Sequence, residues 1–173
     1  TYNNVVGTLT GTTYPDQYFI LGAHYDSVSG APGANDNGSG VAGVLSVAQS
    51  FTACSFEYSL LFIAFDCEEL GLRGSSDYVS SHVIGNTGNS LGMLNLDMIG
   101  WNYNQRDTLD LYSNVPALAQ EVSNMATLYT SLSVEQEPYI PYSDHHPFNN
   151  AGVNAILLAE DNIFNDPNYH QST

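Results

Sequence analysis

His24 and Asp36 stand twelve residues apart in the stretch LGAHYDSVSGAPGANDNGSG, each at a loop edge flanked by small residues. An imidazole and a carboxylate can share a metal ion if the fold brings two such edges together. Other stretches end in the same kind of residue: SLLFIAFD leads into Cys67, Glu68 and Glu69, the run Met93–Leu96 leads into Asp97, and the last segment carries His170. Two histidines with three or four carboxylates form the donor inventory of a paired zinc site. Taken singly, each acid reads equally well as a helix cap or a solvated loop charge, and each histidine as a surface residue. Five of them together on successive strand ends and loops are hard to obtain by chance.

The elements that must position these groups follow from the pattern. The apolar run Tyr18–Ala23 reads as a buried strand delivering His24, and Asp36 lies in a Gly/Asn-rich turn before a helix, Val41–Phe51. Strand ends and helix-leading loops converge at the carboxyl edge of an α/β sheet, where such folds keep their ligands. Thr1–Gly11 alternates like a strand, and Ser59–Asp66 is continuous enough for a central strand covered on both faces. Gly71–His82 reads as a helix, and Met93–Ile99 and Asp107–Ser113 as strands. In the helix expected over Pro116–Leu132, Leu118, Val122, Met125, Leu128 and Leu132 fall at core spacing. A turn-rich loop, Tyr139–Phe148, precedes a short helical piece ending at Gly152, a strand Val153–Ala159 and an irregular loop, Glu160–Asn168. This alternation predicts an α/β fold: a three-layer α/β/α sandwich with a mixed, centrally parallel sheet.

Two tempting patterns fail on context. GNSLG at 88–92 matches the nucleophile-elbow spacing, but its serine follows a loop and precedes a strand, the reverse of what an elbow needs. The HExxH signature is absent. Cys54 and Cys67 flank one strand, whose eight or so residues at about 3.3 Å each hold them roughly 25 Å apart, so no disulfide is expected.

The segments GAHYDS, GANDNGSG, FDCEELGLRGS, LNLDMIG, SDHHPFNNAG and YHQST, in this order and spacing, resemble the motif series of the M28 family of co-catalytic zinc aminopeptidases. The likeness runs from about Val5 to the last residue. It implies the zinc-dependent exopeptidase fold and two zinc ions bridged by Asp36, with His24 and Asp97 on one and Glu69 and His170 on the other. Glu68 becomes the general base. Neighbours on an extended edge point to opposite sides, so the two glutamates cannot share one task. Asp26, two residues beyond His24 and on the same side, would take the imidazole's other N–H and orient the ring. The family's SDH motif makes Asp144 and His145 supporting residues behind the ligands. Members often use a tyrosine of this loop at the developing oxyanion, for which Tyr139 and Tyr142 are both candidates. Additional chain usually precedes the first strand and a further acid and helix follow the last histidine, so a single catalytic domain, 1–173, trimmed at both ends, is expected.

The family likeness also supplies a rival. Glutaminyl cyclases carry similar HYDS, Glu-Glu and DHxPF stretches with one zinc, and His145-His146-Pro147-Phe148 leans that way. GANDNGSG and CEELGLRGS, without an insertion after the glutamate pair, lean to the peptidase. A non-catalytic binding module would be expected to have lost a ligand or Glu68, and none is lost. Residues adjoining ligands or lying on covering loops should form the substrate pocket: Met98, Tyr139, Tyr142, Phe148, Ile163, Phe164 and Tyr169. Their apolar, aromatic character favours peptides with a free N-terminus and a hydrophobic first residue.

Composition narrows the partners. Of 173 residues only 12% are charged, Arg73 and Arg106 are the sole basic side chains apart from histidine, and the formal net charge is −16. Nucleic acid and anionic membranes are excluded as partners on charge, and no stretch of 18 apolar residues is present. A monomer is expected, and the acidic, lysine-free composition fits a secreted or periplasmic setting. Asn37-Gly38-Ser39 is formally a glycosylation sequon, discounted because a glycan beside Asp36 would block the site.

Overall fold

The computed structural model describes residues 3–172, the side chain of Asn104 excepted. One mixed sheet is built from β1 (Val5–Leu9), β2 (Tyr14–His24), β3 (Tyr58–Phe65), β4 (Ser90–Leu96), β5 (Thr108–Ser113), β6 (Ser133–Pro138) and β7 (Ala155–Glu160), in the order β1-β3-β2-β4-β7-β5-β6. Four consecutive strands, β3, β2, β4 and β7, run parallel. β1 flanks them antiparallel, while β5 pairs antiparallel with β7 and parallel with β6. The parallel centre of a mixed sheet is therefore as the sequence implies.

Helices cover both faces. α1 (Gly38–Phe51) and α3 (Pro116–Tyr129) lie on one side, where Val44 packs with Ala23 and Leu96, and Ala119 with Leu111 and Ile156. α2 (Arg73–Tyr78), continued by a π-helical turn at Val79–Val83, and α4 (His145–Asn150) lie on the other. There Phe65, Tyr78, Val83, Met93 and Phe148 close around Ile20 and Ile63. Burial of each large side chain contributes about 1.5–3 kcal/mol, enough in sum to make the inner strands a rigid frame.

Several expectations are corrected. Ser59–Asp66 does form a strand, but β3 is one removed from the edge, and β4 holds the middle of the sheet. Both runs are apolar enough for a covered strand, and local pattern carries no information on strand order. On α3 only the first two turns meet the apolar side chains of the sheet: Leu118 and Val122 pack, Met125 and Leu128 are exposed, and Leu132 lies beyond the helix end. β6, sequence SVEQEP, was not anticipated, because an outer strand with charged alternate positions lacks the apolar signature. Among the described residues no helix is long and apolar enough to cross a membrane.

Candidate metal centre

Three parallel strands deliver their last residues to one spot. β2 ends on His24, β4 is followed at once by Asp97, and β3 is followed by Asp66 and Cys67. Cys67 adopts a left-handed backbone (φ 55°), which turns the chain so that Glu68 and Glu69 enter from the side. Asp36 arrives from the turn before α1, and His170 from the loop after β7.

Asp36 lies between the two imidazoles, with Oδ1 3.1 Å from His24 Nε2 and Oδ2 3.0 Å from His170 Nε2. Asp97 Oδ1 is 3.3 Å from the same His24 nitrogen, and Glu69 Oε2 is 3.2 Å from the same His170 nitrogen. Each imidazole nitrogen thus faces two carboxylates but has at most one proton to give. Glu69 Oε1 is buried with no hydrogen-bond partner among the described residues. A crowd of mixed nitrogen and oxygen donors with a buried oxygen left over fits a bound metal, and the donor types suit zinc. All five predicted ligands are brought together.

The electrostatics agree. Burial alone would push the His24 imidazole down, but the Asp97 charge and hydrogen bonds with Asp26, Asp36 and Asp97 outweigh it and raise its pKa far above the usual value. The imidazolium would stand in for a cation there. Glu68 lies in the same cleft, and its carboxyl is pushed up to about 9, first by burial and then by the charges of Asp97, Asp144 and Glu69, with His24 opposing.

Supporting residues explain how the donors are held. Asp26 reaches His24 Nδ1 through its carbonyl at 3.1 Å and its carboxylate at 3.5 Å, and that carboxylate also accepts the backbone N–H of Glu68 and of Glu69 at 3.0 and 3.2 Å. One acid therefore orients a histidine and fixes the glutamate turn. Asn37, 1% exposed, caps α1 by accepting the Gly40 N–H. The same oxygen accepts the Met98 N–H, and the Asn37 amide donates to the Leu96 carbonyl, so the Asp36 loop is tied to both neighbours of Asp97. A Cβ on Gly40 would collide with the Asn37 amide, so only glycine lets the helix start this close to β4. Ser143 donates to Asp97 Oδ2 at 2.6 Å and accepts from Asn95 at 2.8 Å.

The roles of Asn37 and Ser143 were missed from sequence, although Asn at a helix N-cap and the serine of the SDH stretch were both visible. Asp144 and His145 are completely buried behind the ligands. Burial first, with the Asp97 and Asp26 charges adding and His24 and Ser75 opposing, pushes Asp144 up to about 7. His145 donates from Nε2 to the Ile140 carbonyl at 2.9 Å, and burial is the main cause that lowers it to about 4.

The cleft over the donors, about 100 Å³, is walled by Met98, Ile140, Tyr142, Leu157, Ala159, Ile163, Phe164 and Tyr169. Of the pocket residues expected from sequence, two are misplaced. Phe148 is sealed in the core against Phe65 and Tyr78, because α4 turns it inward under the sheet. Tyr139 turns away to bond His146 and packs edge-on to His145. Ile140, Leu157 and Ala159 take their place, the last two from the β7 face that looks toward the site. Tyr169 stacks on His170 with ring centroids 3.9 Å apart, which steadies the imidazole.

The sequence model of Peptidase family M28 matches residues 4–173. Aminopeptidase YwaD of Bacillus subtilis is 36% identical over 96% of this chain and 36% of its own length. The crystal structure of BSAP, a zinc aminopeptidase from Bacillus subtilis, superposes with a TM-score of 0.82 at 31% identity, covering 98% of this chain and 43% of that one. A glutaminyl cyclase from Bacteroides thetaiotaomicron shares the fold (TM-score 0.78, 99% of this chain and 69% of that one) at only 19% identity. The chain thus spans little more than a third of the length of the curated relative, and within that span the ordered motifs, the sheet and the gathered donors place it in one group: the chain belongs to peptidase family M28.

Proposed function

We propose that this chain is the catalytic part of a zinc aminopeptidase that holds two zinc ions and removes the first residue of peptides with a free N-terminus. The observation that carries the reading is the Asp36 carboxylate, which presents one oxygen to His24 and the other to His170, each imidazole having its own additional acid, Asp97 or Glu69. When bound, such ions lower the pKa of water to about 7 and polarise the scissile carbonyl. Glu68, buried in the cleft with a carboxylate oxygen within 4.8 Å of the donor atoms of His24 and Asp97, accepts the proton from the attacking water and returns it to the leaving amine. Asp26 keeps His24 in the tautomer whose Nε2 is free to ligate. The acids around the cleft also attract the substrate's terminal ammonium, which restricts cleavage to the first bond.

The apolar wall from Met98 to Tyr169 supports a preference for large hydrophobic first residues. The names of the relatives, aminopeptidase and zinc aminopeptidase, are consistent with this activity. The acidic, lysine-free composition supports a secreted or periplasmic monomer without nucleic-acid or membrane partners.

Metal analysis beside two substrates tests the proposal: about two zinc ions per chain and release of leucine from a leucyl peptide are expected. One zinc ion, with cyclisation of an N-terminal glutaminyl peptide and no hydrolysis, would instead establish a cyclase. Glu68→Gln should lower kcat on the order of 10² to 10⁴-fold with zinc content unchanged. Loss of zinc in that variant would exchange the roles of the two glutamates.

A further inference from the structure

A second group of acids lies two strands away from the centre just described, on the same face of the sheet. Asp110 on β5 stands in register with Ala159 of β7 on one side and Glu135 of β6 on the other, and Glu137 follows two residues along β6. Asp110, Glu135 and Glu137 each offer a carboxylate oxygen within 4.8 Å of those of the other two. Like charges on adjacent strands destabilise a sheet unless something neutralises them.

The cation already present serves only part of the group. Arg106 pairs with Glu135 at 2.5 Å and with Asp161 at 2.6 Å, one positive charge among four acids. Asp110 is the decisive residue. It is 5% exposed; its Oδ2 accepts the Tyr112 hydroxyl and the Asn162 N–H, both at 3.2 Å, whereas its Oδ1 is buried with no hydrogen-bond partner among the described residues. Burying a carboxylate oxygen without a partner is unfavourable unless something else neutralises it. Burial raises the Asp110 pKa, and the charges of Asp161 and Glu137 add to the shift, against the pull of the Asn162 N–H and the Tyr112 hydroxyl.

We propose that Asp110, Glu135 and Glu137 form a separate site for a hard divalent cation, calcium by preference, which ties the outer strand β6 to β5. The donors are all oxygen, without His or Cys, which selects calcium over zinc. The geometry gives the ion a structural task. β6 leads directly into the loop carrying Ile140, Tyr142 and Ser143, and Asp110 also holds the start of the segment that brings Ile163, Phe164 and His170 to the cleft. A cation here would secure both walls of the pocket from behind while touching no substrate.

The test uses the zinc-loaded protein, titrated with calcium by calorimetry and followed by thermal unfolding. One saturable calcium site is expected, with a rise in Tm of about 5–10 °C when calcium exceeds its Kd 100-fold. Terbium should bind in its place and emit on tyrosine excitation, because Tyr112 is hydrogen-bonded to Asp110. Asp110→Asn and Glu137→Gln should each abolish or weaken binding at least tenfold, while Glu121→Gln on α3 leaves it unchanged. Glu137 is part-exposed, so its variant still reads out if Asp110→Asn fails to fold. Absence of saturable calcium binding, or equal binding in Glu137→Gln and the parent protein, overturns the proposal.

Discussion

Cys67, Met98 and His170 hold left-handed backbone conformations at φ 55°, 55° and 57°. None is glycine, so each costs of the order of 1 kcal/mol or more that the surrounding structure must offset. Met98 follows the candidate donor Asp97, Cys67 precedes Glu68, and His170 is itself a candidate donor, so the strain at these three lies where side-chain direction matters. The oxyanion partner can be addressed at the same scale: of the two loop tyrosines only Tyr142 lines the cleft, while Tyr139 is bonded to His146. Tyr142→Phe should lower kcat about 10 to 100-fold with little change in KM, and Tyr139→Phe should leave steady-state kinetics near the parent values. Equal losses in the two variants would show that the loop acts as a unit.

His145 gives a pH dependence. Its folded pKa of about 4 lies below the ordinary 6.5, so between these values the unfolded chain binds more protons. Its contribution is complete above about pH 6.5 and is lost as pH falls toward 4, roughly 3 kcal/mol in all. Asp144 and Glu160, both raised to about 7 by burial, slope the other way. The readout is therefore the difference between the parent and His145→Gln, which keeps a donor for the Ile140 carbonyl but does not titrate. Urea unfolding of the metal-free proteins should show the parent losing more stability than the variant from pH 6.5 to 4.

At the scale of elements, Phe148 separates packing from recognition. It is completely buried between Phe65 and Tyr78, so Phe148→Ala should cost about 3–5 kcal/mol in denaturant unfolding and leave the ranking of substrates unchanged. A reordered ranking would return the residue to the pocket. Sequence placed Phe148 wrongly because a short helix of six residues has too little periodicity to show which side faces inward. The five candidate donors and Glu68 do come together in one cleft, because the motifs that single them out lie at strand ends and in the loops that the sheet gathers at its carboxyl edge. β6 and the inner rank of β4 over β3 escaped, since pairing between distant strands leaves no mark on either. The long apolar pattern on α3 overstated its core, because period shows which face is apolar but not how far the sheet extends beneath it.

At the scale of the whole molecule, the excess of acids should bear on selectivity. With a formal charge of −16 and no arginine or lysine at the cleft, an acidic first residue meets repulsion as well as an apolar wall. Leucyl amides should exceed aspartyl and glutamyl amides in kcat/KM by 10 to 200-fold or more, with the gap narrowing as salt screens the charge. Faster turnover of acidic substrates would contradict the pocket assignment. The position of Asn37 reaches further, into how the molecule can be made. In a compartment that attaches N-linked glycans, a transferase meets Asn37-Gly38-Ser39 on the nascent chain before folding hides it. Once folded, the Asn37 amide is committed to Leu96, Gly40 and Met98, and Ser39 is bonded to Asn35 and Ile99, so neither residue can be altered freely to erase the signal. Sugar attachment and closure of the Asp36 loop thus exclude each other. Preparations from a glycosylating host should divide into an unmodified, zinc-binding fraction and a modified, zinc-free one, and a modified fraction with full zinc content would disprove that exclusion.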